Sequence, residues 1–407
     1  MPHRKEREHS EGQEHSEQQE QQEQPKHPVF ALAPDSFKGS MSAKQVCYAM
    51  ERGLRRVFPL ADFIHVPMAD GGEGTVQSLV DATGGSLYQR EVTGPMGETV
   101  KAAFGILGDG NTAVLEMAEA SGIQLVTEAT RNPLAATTYG TGELIKECLD
   151  RGIRRIIIGI GGSATNDGGA GMAEALGARF LDADGNELPR GGGSLSRLAA
   201  IDVSDLDARL AEAELIVACD VTNPLCGSNG ASMVFGPQKG ATPDMTERLD
   251  AALSHYADVA KRQLGKDVRN IPGAGAAGGL GAGLLLFTNA VLRRGIEIVI
   301  DYSGLRGKLA SADYCFTGEG CIDGQTLFGK TPYGVALAAK ELGVPVIAVA
   351  GKVGEGAEQL FDFGFDVILG ITPAAAPLDQ LLAEGPQNVE RTCENIGRLF
   401  KLGIKNA

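Results

Sequence analysis

The chain has 407 residues, 43% of them hydrophobic, with 56 glycines and no tryptophan; one core rarely serves that length, so two domains are expected. A formal net charge of -15 argues against nucleic acid or an anionic membrane as the main partner, though not against a phosphate held locally by backbone N–H groups. Seven cysteines without a CxxC pair, and only His65 and His255 beyond residue 27, argue against a disulfide framework and a His/Cys metal site.

Residues 1–27 are almost purely polar and are expected to form a disordered tail. Val29–Ala33 reads as a first strand ending at Asp35-Ser36-Phe37-Lys38-Gly39. Ser42 with Gln45 predicts a capping box, and Val46, Met50, Leu54 and Val57 carry helical spacing. A second strand over Phe63–Met68 turns through Asp70-Gly71-Gly72-Glu73-Gly74 into a helix near Thr75. This β-α-β-α order begins a parallel sheet. From Leu87 the stretches Tyr88–Val92, Val100–Leu107 and Ala113–Met117 suggest antiparallel strands. A helix over Gly142–Arg151 and a buried strand at Arg155 lead into a glycine-rich loop. Leu215–Asp220 reads as another buried strand, and Met245–Leu264 as a long amphipathic helix. The run Gly273–Gly283 opens a further helix; strands follow at Tyr314–Thr317, Val346–Ala350 and Phe365–Leu369, then a helix near Val389–Leu402. The fold class expected is α/β. A Rossmann/flavodoxin-like parallel-sheet domain is built from both chain ends (28–86 and 291–407), and a second α/β domain (87–290) is inserted between them. No apolar run spans a membrane and no signal-peptide core is present, so a cytoplasmic protein without a membrane partner is expected. Oligomerisation is left open.

The chemistry-bearing motifs sit where strands end, the position at which open α/β sheets bind ligands. The turn Asp35-Ser36-Phe37-Lys38 offers a cation for phosphate and an acid for a proton or metal; an ordinary capped turn is the alternative. Asp70 and Glu73 lie among glycines, a pattern suited to Mg²⁺, which takes few carboxylates plus phosphate oxygens; an N-cap is the alternative. Gly161-Gly162-Ser163-Ala164-Thr165-Asn166-Asp167 behind a strand reads as a phosphate cradle of bare N–H groups. Gly159-x-Gly161-x-x-Ala164, with Asp182 and Asp184 downstream, also fits a dinucleotide fingerprint. It would make the chain an NAD(P)-dependent hydroxy-acid oxidoreductase. Gly324 to Lys330-Thr331 spells a P-loop, but the expected strand stops near Thr317, too early for one. Glu319 stands at that strand end and Asp220 at another, both candidates for Mg²⁺ or for taking a hydroxyl proton.

These motifs together resemble the bacterial type-1 glycerate kinase family. The resemblance runs from about Pro28 to Lys405 and rests on Ala33–Gly39, Met68–Thr75, Gly161–Gly169, Asp220–Gly227 with Phe235–Gly240, Gly273–Gly281, and Thr317–Gly320 through Gly329-Lys330. It implies ATP-dependent phosphorylation of D-glycerate, at the 2-position or alternatively the 3-position, with Mg²⁺ as cofactor. It also implies a cleft between the two domains. On that reading Gly161, Gly162, Ser163, Thr165, Asn166, Lys330 and Thr331 bind ATP phosphates. Asp35, Ser36, Asn223, Lys239, Gly278 and Gly279 bind glycerate. Asp70, Lys38, Asp167, Asp220 and Glu319 carry the chemistry, and Asp70, Glu73 and Glu319 hold Mg²⁺. Cys321 stands where the resemblance leads one to expect a basic residue after Gly320.

Overall fold

A computed structural model describes residues 27–404, so the expected tail falls, but for His27, outside the described residues. The strands in chain order are β1 (Val29–Leu32), β2 (Asp62–His65), β3 (Ser86–Thr93), β4 (Thr99–Ile106), β5 (Thr112–Glu116), β6 (Arg155–Gly159) and β7 (Arg179–Leu181). They continue with β8 (Ala200–Asp202), β9 (Glu214–Ala218), β10 (Val291–Arg293), β11 (Tyr314–Ile322), β12 (Val346–Val353) and β13 (Val367–Gly370). Apolar residues dominate β1, β6, β9 and β12, and their interiors are buried; such continuous apolar runs mark strands covered on both faces.

Both ends of the chain build one parallel sheet in the order β13-β12-β11-β1-β2. The middle builds a second, β10-β9-β6-β5-β4-β3, parallel from β10 to β5 and antiparallel at β4 and β3. The fold is the α/β arrangement expected, one parallel-sheet domain interrupted by another α/β domain. Two details differ from the sequence reading. Val291–Arg293 pairs with β9, so the chain leaves the middle sheet after Arg293. The segment at Ala113 is antiparallel only to β4; on its other side it runs parallel to β6.

The helices Thr75–Thr83 and Gly295–Ser303 lie between the two sheets. Leu79, Val80, Ile296 and Val299 share one core with Val114, Ile157 and Ile216 of the middle sheet and Met68 and Ala31 of the other. Each such buried side chain contributes roughly 1.5–3 kcal/mol, which joins the sheets into one body and fixes the loops at their carboxyl ends. The helix Ala43–Arg55 starts with the Ser42/Gln45 capping box, both bonds being made. Among the described residues no helix is long and apolar enough to cross a membrane.

Candidate active site

The carboxyl ends of β1, β2 and β11 deliver acids to one place. After β1, Pro34 turns the chain, and Asp35 Oδ1 accepts from the Ser36 N–H at 2.6 Å while Oδ2 accepts from the Thr331 hydroxyl. After β2, Asp70 Oδ1 accepts from the Gly72 N–H at 3.1 Å. Gly71 is obligatory there: its φ is +94°, and a Cβ would stand 2.5 Å from Gly295 Cα. On β11, Glu319 accepts from the Thr326 hydroxyl at 3.1 Å and lies 3.6 Å from Lys330 Nζ. Asp35, Ser36, Lys38, Asp70, Glu319 and Lys330 all line a cavity of about 900 Å³. Its far wall is apolar, formed by Val353, Ile371, Leu378, Leu381 and Leu382.

Burial sets the electrostatics of this wall. It raises the Asp35 carboxyl, the Thr331 hydrogen bond opposes it, and the charge of Asp70 adds to it. Burial pushes Glu319 up to about 7, against the pull of Lys330. Asp220 is likewise raised, first by desolvation and then by Asp70, while the Gly295 N–H, donating to its Oδ1 at 3.0 Å, works the other way.

A second cavity of about 530 Å³ opens on the middle domain, lined by Gly161, Gly162, Ser163, Asp220, Gln238 and Lys239 among others. Gly161 and Gly162 are exposed to it, and Gly162 has a φ of +73°. Lys239 is buried beneath, donating to Ser163 Oγ and the Thr165 carbonyl. Asp70 lines this cavity as well as the larger one.

Several expected ligand contacts take other roles. Asp167 is fully buried, and its carboxylate accepts from Thr138 N–H and hydroxyl and from the Gly169 and Gly171 N–H groups. Its donors are internal, so it braces the loop instead of touching a substrate. Thr165 and Asn166 are also fully buried; Asn166 Nδ2 donates to Ser232. Gly278 and Gly279 back the loop from behind, a Cβ at Gly278 falling 2.0 Å from the Thr165 carbonyl. Asn223 donates to the Asn229 carbonyl and accepts from Gly275 through its own carbonyl, closing a turn off the cavity wall. Glu73 is exposed and does not line the cavity that holds Asp70 and Glu319; it borders neighbouring clefts with Asp35, Ser36 and Lys38. The expected phosphate set is divided: Gly161, Gly162 and Ser163 face the smaller cavity, and Lys330 the larger.

Both nucleotide spellings need correcting. Behind β6 the next helix, Ala170–Ala175, starts eleven residues after Gly159 and has only six residues. A dinucleotide fold requires a helix opened by the fingerprint itself, so that match is accidental. At the P-loop spelling, β11 continues to Ile322, beyond the predicted stop. A 3₁₀ segment, Gly324–Phe328, then leads to the helix Thr331–Glu341, with Lys330 at its N-cap. Lys330, with Lys38 and Lys352, supplies positive charge beside Cys321 in the larger cavity.

Two residues of consequence escaped the sequence reading. Glu116, at the end of β5, accepts from the Val76 N–H at 2.9 Å and the Gly74 N–H at 3.4 Å, tying the Asp70 turn to the middle sheet. Gly295 packs its Cα where a Cβ would meet the Asp70 carbonyl at 2.0 Å. An acid closing a buried strand was the available signal for Glu116; Gly295 offered none.

The profile of the Glycerate kinase family matches residues 30–401. A Bacillus subtilis glycerate kinase is 55% identical over 371 residues, 91% of this chain and 97% of that protein. The glycerate 2-kinase of Escherichia coli is 50% identical over 376 residues, 92% and 99% of the respective chains. A crystal structure of a candidate glycerate kinase 2 from Salmonella typhimurium LT2 superposes with a TM-score of 0.87 at 51% identity, covering 93% of this chain and all of that one. With residues 30–401 matched and relatives of this identity spanning the fold end to end, the chain belongs to the glycerate kinase family.

Proposed function

We propose that the chain transfers the terminal phosphoryl group of ATP to the 2-hydroxyl of D-glycerate, releasing ADP. The observation that carries this reading is that Asp70 borders two cavities of unequal size and character. The larger, with its apolar wall, suits an adenine nucleotide; the smaller, with its glycine loop and Lys239, suits a small acid anion. The transferred group then crosses at Asp70. The 2-position follows the Escherichia coli relative, which is named for it.

Phosphoryl transfer needs alignment and neutralised charge more than covalent help. Lys38 and Lys330 face the larger cavity and hold phosphate oxygens. Gly161, Gly162 and Ser163 present backbone and hydroxyl to the glycerate anion. Asp220, in the smaller cavity, orients the acceptor hydroxyl and takes its proton, the role that Asp167 is too deeply buried to fill. Asp35 and Ser36 complete the acidic wall, and Thr331 holds Asp35.

Mg²⁺ characteristically binds one or two carboxylates and completes its shell with phosphate and water. Among the described residues no three His, Cys, Asp or Glu side chains are grouped to enclose a metal, while Asp35, Asp70 and Glu319 share the larger cavity. That donor set fits an ion arriving with the nucleotide, with Asp70 and Glu319 to hold it. Such an ion would supply charge neutralisation on the phosphates.

Incubation of the protein with ATP, Mg²⁺ and D-glycerate tests the reading. ADP should form only when glycerate is present, and phosphorus NMR of the product should give a doublet. A triplet would move the acceptor to the 3-hydroxyl. ADP formation independent of glycerate, or none at all, would overturn the assignment.

A further inference from the structure

Lys239 is an ammonium-bearing side chain that is only 2% exposed. Its Nζ donates to Ser163 Oγ and to the Thr165 carbonyl, each at 2.7 Å, and both acceptors are neutral. An ammonium has three hydrogens to donate, so one remains, on a side chain that forms part of the smaller cavity's wall. Asp167 is the charge that favours the ammonium, but its oxygens are engaged by Thr138, Gly169 and Gly171. A buried cation without an anion costs several kcal/mol.

We propose that Lys239 takes up a proton as an oxyanion enters the smaller cavity, so that ligand capture and protonation are one event. The amine nitrogen gains the proton from a buffer acid, whose conjugate base stays in solution; no other bond changes. The anion supplies the counter-charge that the protein withholds. It is either the glycerate carboxylate or a nucleotide phosphate, and only those names rest on the function proposed above.

The surroundings support this. Burial drives the Lys239 amine down to about 7. Asp167, from the loop, is the charge that acts on it; in the helix Pro243–Leu264 the Tyr256 phenol, also acted on by Asp167, is pushed well above its ordinary value by burial and stays neutral. Asp70 and Asp220 share the cavity lining and oppose an anion. A neutral amine there avoids the burial cost until a ligand arrives.

Calorimetric titration of the full chain at several pH values, in two buffers of different ionisation enthalpy, reads the protons taken up per ligand bound. D-glycerate and ATP are titrated separately. Uptake in one arm should rise from about 0.1 near pH 6 to about 0.9 near pH 8, with a midpoint near 7. Affinity in that arm should fall about tenfold per pH unit above the midpoint. The arm showing the rise identifies the anion. Glu319, raised to about 7 in the larger cavity, would give the same rise with ATP, so Glu319→Gln must retain the uptake; its loss in that variant, or uptake that shrinks as pH rises, overturns the proposal. So does binding without buffer dependence in both arms. Lys239→Met should abolish the uptake while retaining a cooperative melt; should it fail to fold, Glu319→Gln and Asp220→Asn, the other raised groups lining the two cavities, still decide, since each must retain the uptake. If the uptake is found but glycerate is not phosphorylated, the proposed reaction fails and this inference stands.

Discussion

The two walls of the cleft handle charge in different ways. The wall on the five-stranded sheet carries it on side chains: Asp35 and Asp70 in the loops after β1 and β2 and Glu319 in the later half of β11, with Lys38 and Lys330 beside them. The wall on the six-stranded sheet sets Asp220 and the buried Lys239 around exposed backbone, in a glycine loop braced from below by Asp167 and packed from behind by Gly278 and Gly279. Side chains at this edge of the sheet can be replaced with little effect on the fold, because their backbone is held by the sheet. A loop whose interior is a buried carboxylate cannot be altered without altering the fold. The first wall should therefore lose function when mutated, and the buried brace of the second wall's loop stability.

The sharpest test is Asp70→Asn. The loss of one carboxylate at the junction should lower kcat by about a thousandfold, or roughly 4 kcal/mol, with an almost unchanged melting temperature. A melting temperature that fell in step with kcat would erase the distinction between the walls. Asp167→Asn is the counterpart. Its amide would face donors with a donor, leaving buried N–H groups unpaired, and should cost about 3 kcal/mol in urea unfolding. Whatever fraction stays folded should turn over nearly normally.

The Glu319 carboxyl sharpens the comparison through pH. Its folded value is raised to about 7 from 4.5, so the folded state binds the proton more tightly than the unfolded state. Its contribution to stability is full below about pH 4.5 and is lost as pH rises through 7. Between those values wild type should lose about 3 kcal/mol more than Glu319→Gln, measured by chemical denaturation across the range. Equal pH profiles would mean the carboxyl is solvated as in the unfolded chain. The smallest effect is expected at Glu116→Gln. It weakens the two bonds that clamp the Asp70 turn and should cost about 1 kcal/mol of stability, with a several-fold loss in kcat.

Much of this was legible in the sequence. The Ser42/Gln45 box, the strand at Val29, the long helix ending at Leu264 and the alternation of strands with helices all depend on local spacing, and they appear where expected. The placement of acids at the carboxyl edge of a parallel sheet was likewise legible, though Asp35 and not Glu73 shares the larger cavity with Asp70 and Glu319. The family, too, was recognisable from motifs in order. What the sequence could not determine is which side of a loop faces the ligand. Gly161 and Gly278 look alike as letters, yet one is open to the cavity and the other lies against the Thr165 carbonyl. Asp167 and Asp220 both follow buried strands, yet only one reaches solvent. Glu116 and Gly295 act on the Asp70 turn from far along the chain. Burial and approach across sequence-distant segments are properties of packing. Local spacing determined the elements and the edge at which they end; only the tertiary structure decided which polar groups at that edge are left for a ligand and which are used up holding the loops in place.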